Sequence, residues 1–180
     1  MTLKTPCPWP VRRLYTVEGS HIDDLATVLL DCVEGGASVS FMHPFSHVDA
    51  VAFWRQVAQG VSIGERALLV AEDAQGLCGT VQLLLAQPPN QPHRADVAKM
   101  LVHRRARRHG VAMALMQAAE AAARECGRTL LVLDTVTGSE AAHLYERLGW
   151  VLVGDIPDYA LWPRGGFCST TIYYRELAPR

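Results

Sequence analysis

No apolar run in this sequence approaches the roughly 20 residues that a membrane-spanning helix needs. There is no C-x-x-C pair, and the five cysteines, Cys7, Cys32, Cys78, Cys126 and Cys168, are scattered and odd in number. That pattern argues against a disulfide framework or a zinc site. Free thiols in a reducing cytoplasm are expected instead. The seven histidines form no H-E-x-x-H pattern. His43 and His47 are four apart, but Pro44 between them works against a shared helix face, so no metal is expected. Charge of one sign is also lacking: 17 basic and 18 acidic residues leave a net charge of −1, which speaks against general nucleic-acid binding. Residues through Pro10 contain no apolar signal core, so secretion is not expected, and residues 1–10 are expected to pack loosely. No repeat, low-complexity tract or domain boundary is visible.

What is present is an ordinary globular composition, 180 residues with 49% hydrophobic and 19% charged residues. One domain over 1–180 is expected. Val11 to Val17 reads as a short strand. His21 to Glu34 carries Ile22, Leu25, Ala26, Leu29 and Val33 on one helical stripe, with Ser20 and Asp23 as a weak capping box before it and Gly35-Gly36 after it. Ala37 to Pro44 is an aperiodic loop. Ser46 and Asp49 repeat the cap signal before a helix over Val48 to Gln59, closed by Gly60. Arg66 to Asp73 and Leu77 to Gln87 read as a hairpin, and Ala95 to Val102 as a further strand. A helix from about Gly110 to Cys126, a strand from Arg128 to Thr135 and a helix from Gly138 to Leu148 follow. Trp150 to Gly154 and Thr170 to Leu177 close the chain as strands. The order is βααβββαβαββ, a mixed α/β fold whose central strand–helix–strand unit requires a parallel pair. Sheet edges and the C-terminal strand leave room for a homodimer.

The most informative stretch is Arg107-Arg108-His109-Gly110-Val111-Ala112, between the apolar Met100-Leu101-Val102 and a helix start. The first N–H groups of a helix have no internal partner and lie at the positive end of its dipole. Gly110 and Ala112 are small enough for a bulky anion to reach the backbone, and two arginines add charge. The turn reads as a phosphate site.

Arg107-x-x-Gly110-x-Ala112 resembles the R/Q-x-x-G-x-G/A turn of the GNAT superfamily of acyl-CoA-dependent N-acetyltransferases. Ala141-x-x-Leu144-Tyr145-x-x-x-Gly149-Trp150 resembles that superfamily's second core motif. Gly35 to Met42, Asn90 to Lys99, Leu133-Asp134-Thr135 and Thr171-Ile172-Tyr173-Tyr174 are similar to the tabtoxin-resistance branch, whose members acetylate an amino-acid-like toxin. Three positions depart from the superfamily pattern: Arg104 stands for a common Pro, Arg108 for the usual Gly, and Gly138 for a frequent Asn.

The resemblance implies a GNAT-like fold with the central parallel pair splayed around acetyl-CoA. It places the pyrophosphate on the turn formed by Arg107, Arg108, His109, Gly110, Val111, Ala112 and Met113, and the pantetheine arm along the main chain of Met100, Leu101 and Val102. The acceptor would be the primary amine of a small molecule such as an amino-acid-like toxin or antibiotic, which implies a resistance role. Tyr145 is the candidate general acid: a phenol at about 10 can protonate a departing thiolate of about 8.5. Asp96 and Asp134 are candidates for proton acceptor or for recognition of the ammonium. For Asp96 the alternative is a salt bridge to Arg94 or Lys99, and for Asp134 it is capping of the next turn. Arg164 could hold a substrate carboxylate or be a solvated loop charge. Two other readings compete: a non-catalytic CoA-binding sensor on the same fold, and nucleic-acid binding through Arg104-Arg105-x-Arg107-Arg108-His109.

Overall fold

The structure is a computed structural model that describes residues 9–177. Cys7 and the loose packing expected of residues 1–8 lie outside that range. The elements are β1 (Val11–Leu14), α1 (Gly19–Glu34), α2 (His47–Ser62), β2 (Arg66–Asp73), β3 (Gly76–Leu84), β4 (Arg94–Val102), α3 (Val111–Glu125), β5 (Leu130–Val136), α4 (Glu140–Arg147), β6 (Val151–Leu161) and β7 (Phe167–Glu176), with one 3₁₀ turn at Arg104–Ala106. This is the expected order. The strands form one seven-stranded sheet in the order β1-β2-β3-β4-β5-β7-β6. Every pair is antiparallel except β4 with β5.

Period-two alternation divides the core. Leu68 and Val70 of β2 pack under α1 and α2, with Leu25, Leu29 and Trp54. Ala67, Leu69 and Ala71 face the opposite way, toward Leu115 and Ala119 of α3. β4 breaks this parity. Ala95 and Val97 join the α3 side, whereas Leu101 joins the α1/α2 side. The cause is a bulge: Gln82 pairs with Ala98 and Thr80 with Leu101, so Lys99 and Met100 together face Val81. Lys99 sits there with φ +50. An extra residue kinks the strand and re-aims the side chains that follow.

Several boundaries differ from the sequence reading. α1 starts earlier than His21, with Glu18 as its N-cap, because the Glu18 N–H donates to His21 Nδ1 at 3.1 Å; Ser20 and Asp23 do not form the cap. α2 runs through Gly60 to Ser62, with Gly60 buried beside the Arg66 side chain. β1 ends at Leu14, short of Val17. β6 runs to Leu161 rather than stopping at Gly154, and β7 begins at Phe167. Trp9, expected to be loose, is partly buried against the core, and its indole N–H donates to the His109 carbonyl at 2.5 Å. No described helix is long and apolar enough to cross a membrane.

Candidate active site

β4 and β5 pair at Arg94↔Leu130, Ala95↔Leu131 and Asp96↔Val132. Past those three positions they diverge, and a cleft of about 1080 Å³ opens between them. Val97 to Val102 form one wall and Asp134 to Val136 the other. The α1–α2 loop, the start of α3, one face of α4, and the β6–β7 hairpin complete it. Divergence of parallel strands leaves main-chain groups without a ladder partner, and these open onto the cleft.

At one end lies the basic turn. Its arginines are tied down one by one. The backbone N–H of Arg104 donates to Asp31 Oδ2 at 2.9 Å, and its guanidinium also pairs with Asp31. Arg105 pairs with Asp73 at 2.9 Å. Arg107 Nε donates to the Val102 carbonyl at 3.0 Å. Arg108 pairs with Glu140 of α4. The cluster that could have read as a nucleic-acid surface is thus largely matched by carboxylates within the fold. Gly110, at φ +85, is the N-cap of α3, and no side chain caps the helix. A Cβ on Gly110 would meet nothing within 4 Å. The first turn of α3 (Val111, Ala112 and Met113) lines the cleft, so its orphan N–H groups are available to an anion there.

Of the predicted site residues, Met100, Leu101, Val102, Arg107, Arg108, Gly110, Val111, Ala112, Met113, Asp134 and Tyr145 all line this one cleft. The Val102 carbonyl is a correction in detail. It already accepts from Arg107 Nε and, at 3.6 Å, from Cys32 Sγ, so it is not free to face a ligand. His109 lies outside the lining and is exposed. Asp96 also lies outside it. It sits where β4 and β5 are still paired, 2.5 Å from Arg94 Nη1 and accepting from Gln87 Nε2 at 3.1 Å. The strand pair is closed at that level, so the alternative role, a salt bridge to Arg94, is the one the fold shows. Arg164 is exposed between β6 and β7.

Tyr145 projects from α4, 5% exposed, with its ring 5.9 Å from Trp150 and 6.1 Å from Tyr173. The helix ends just beyond it. The Trp150 N–H donates to the Tyr145 carbonyl and the Gly149 N–H to that of Glu146, with Gly149 at φ +80. That paired closure needs a left-handed residue after the helix, which explains the glycine in the motif. Burial, with the nearby Asp134 carboxylate, holds the Tyr145 phenol well above its ordinary value. Asp134 stands exposed at the end of β5 and accepts from Thr170 Oγ1 at 3.3 Å. Ser139 caps α4 and lines the cleft one residue after Gly138.

Lys99 was missed as a site residue. The bulge turns it into the cleft, where its Nζ donates to Ser40 Oγ at 3.0 Å and lies 5.8 Å from the Phe41 ring centre and 5.9 Å from that of Phe53. Burial pushes its ammonium below the ordinary lysine range, against a partial offset from Asp134.

Residues 64–152 match a family model described as an acetyltransferase (GNAT) domain. A GCN5-related N-acetyltransferase from Kribbella flavida superposes with a TM-score of 0.78 at 22% identity, over 96% of this chain and 100% of that one. An N-acetyltransferase from Staphylococcus aureus Mu50 gives 0.77 at 16% identity, over 94% and 99%. YncA from Salmonella typhimurium, a putative acetyltransferase solved with its cofactor acetyl-CoA, gives 0.77 at 16%, over 96% and 95%. Both motifs follow the C-terminal ends of the two splayed strands and fall inside the matched stretch, so residues 64–152 are similar to a GNAT acetyltransferase domain and the whole chain shares the fold of those structures.

Proposed function

We propose that this protein is a cytoplasmic N-acetyltransferase that moves an acetyl group from acetyl-CoA to the primary amine of a small molecule. The observation that carries the reading is the placement of Tyr145 and Asp134 in the same cleft as the uncapped start of α3. The residues present fit acetyl-CoA: a Cβ at Gly110 would project into open space, and α3 offers its first-turn N–H groups beside Arg107 and Arg108. Gly110 to Met113 would hold the pyrophosphate, and the open main chain of β4 the pantetheine arm. When bound, acetyl-CoA supplies an acyl thioester.

Asp134 receives the acceptor's ammonium and draws off its proton, since an ammonium has no lone pair for attack. Tyr145 keeps its Oη proton through the neutral range, because burial disfavours the phenolate, and gives it to the departing sulfur while regaining one from the amine nitrogen as the amide forms; the proton on Asp134 is released to water. The segments resembling the tabtoxin-resistance branch favour an amino-acid-like acceptor, and with it a role in resistance. The partners in this reading are the acyl donor and the amine, with room for a second copy along β6, an edge strand with Leu152 and Val153 exposed.

The test is thiol release from acetyl-CoA with a panel of amino acids, polyamines and amine antibiotics. Tyr145→Phe is expected to lower turnover at least 100-fold while acetyl-CoA still binds, and Gly110→Asp to weaken CoA binding. CoA binding without turnover on any amine would favour the sensor reading. Wild-type CoA affinity in Gly110→Asp would sink the phosphate assignment.

A further inference from the structure

We infer that Lys99 is the specificity-determining cation of the acceptor site, and that it binds a carboxylate carried by the same molecule whose amine Asp134 receives. The inference rests on the acetyltransferase reading above and narrows its substrate to amines that also bear an acid.

Of the cations that line this cleft, Arg147 makes no ion pair among the described residues but is exposed to water, and the others differ in one respect. Arg107 and Arg108 each have a carboxylate within 4.0 Å, Asp31 and Glu140 respectively. Lys99 makes no ion pair among the described residues; its one hydrogen bond goes to a neutral hydroxyl, that of Ser40. An ammonium has three donors, so two are left for a ligand. A cation partly drawn out of water is costly when no carboxylate pairs with it directly. A ligand carboxylate supplies the missing counter-ion.

The surroundings are built to hold that charge in place. Lys99 occupies left-handed backbone at φ +50 in the β4 bulge, and Ser40 at φ +78 in the α1–α2 loop. Two non-glycine residues in this sparsely populated region, joined by one hydrogen bond across the cleft, cost energy that the fold maintains there. Phe41 and Phe53 present ring faces to the ammonium, which keeps water off while favouring positive charge. Asp134 sits close enough to favour the charged form of Lys99. The cleft therefore offers a negative group on β5 and a positive one on β4, the complement of a molecule that is itself both ammonium and carboxylate. Arg164, the sequence candidate for this task, is on the exposed β6–β7 loop outside the lining.

The experiment compares the common amino acids with their carboxamides as acceptors, by thiol release from acetyl-CoA. In the wild type, kcat/KM is expected to favour the acid over its amide by about 10- to 100-fold, the usual worth of a hydrogen bond to a charged group. Lys99→Met should bring that ratio close to one, through a higher KM for the acid. Lys99→Arg should keep part of the preference, and a retained KM for acetyl-CoA in both variants reports an intact fold. A wild-type ratio near one, or acids and amides losing equally in Lys99→Met, overturns the inference. Thiol release with polyamines and amides as fast as with acids removes this inference alone. No release with any amine removes the acetyltransferase reading, and this inference with it.

Discussion

The Asp31 carboxylate, buried at the C-terminal end of α1, accepts the backbone N–H of Arg104 at 2.9 Å. That single contact ties α1 to the start of the basic turn. The same carboxylate pairs with the Arg104 guanidinium and lies 3.8 Å from Arg107, so one acid on the opposite side of the turn fixes where the chain goes as it leaves β4. Asp31→Ala should cost about 1–3 kcal/mol, because it leaves a backbone donor without its partner, and should raise the Kd for CoA. Asp31→Asn keeps an acceptor for the N–H and should lose less. Urea unfolding and calorimetric titration with CoA check both. An Asp31→Ala protein with wild-type stability and CoA affinity would show that the turn holds itself.

The pH dependence of stability has a clear sign at the alkaline end. Burial, then Asp134, raises the Tyr145 phenol in the folded state above its unfolded value of about 10. Tyr173 moves the same way, to about 12, through burial and its hydrogen bond to Glu146. Above pH 10 the folded protein therefore binds more protons than the unfolded chain. The stability these groups contribute is present below pH 10 and is lost as pH rises past it. Lys99, shifted down by burial, contributes a slope of the opposite sign below its unfolded value of about 10.4. Tyr145→Phe should make the decline above pH 10 shallower by up to about 1.4 kcal/mol per pH unit. Denaturant unfolding between pH 9 and 11 measures it, and an unaltered slope would mean that Tyr145 titrates normally.

Two identical local signals had different fates, and that difference is testable. Ser46 Oγ accepts the Asp49 N–H at 3.2 Å and caps α2. Ser20, with Asp23 at the same spacing, caps nothing, because His21 engages the Glu18 N–H and the helix starts at Gly19. Ser46→Ala should cost about 1 kcal/mol, while Ser20→Ala should stay within about 0.5 kcal/mol. Equal losses in thermal melts would contradict the assignment.

The same contrast shows what a single sequence can reveal. The basic turn and the helix start after it are legible because their signal is local: an apolar strand, two arginines, a glycine and a helical stripe. Tyr145 and Gly149 were legible for a like reason, since a helix with a left-handed closure leaves its mark within ten residues. Lys99 was not. Its direction depends on the pairing of β3 with β4, where two residues oppose one, and a lysine inside an apolar strand otherwise reads as surface. Asp96 was assigned to the wrong level of the sheet, because only the point of strand divergence, itself tertiary, decides which carboxylate meets the cleft. β6 runs past Gly154 to Leu161 although it contains Pro157 and Asp158, residues rare inside strands. On an edge strand they are accommodated where the register slips between Ile156 and Ala160.

Arg108 is where the sequence departs most from the superfamily turn, and its backbone supplies the reason a glycine is usual there. Arg108 has φ +65, a conformation that costs a side-chain-bearing residue about 1–2 kcal/mol. Its guanidinium pairs with Glu140, but both side chains are more than three-quarters exposed, so the pair contributes little to stability. Two substitutions separate these effects. Arg108→Ala removes the pair and keeps the strained backbone; Arg108→Gly removes the pair and relieves it. The glycine variant should therefore be the more stable of the two by about 1 kcal/mol, although glycine at an ordinary helical or extended position would be the less stable. Chemical denaturation of the two variants side by side decides it. If the alanine variant is equally or more stable, the left-handed backbone at Arg108 is not the origin of the superfamily's glycine.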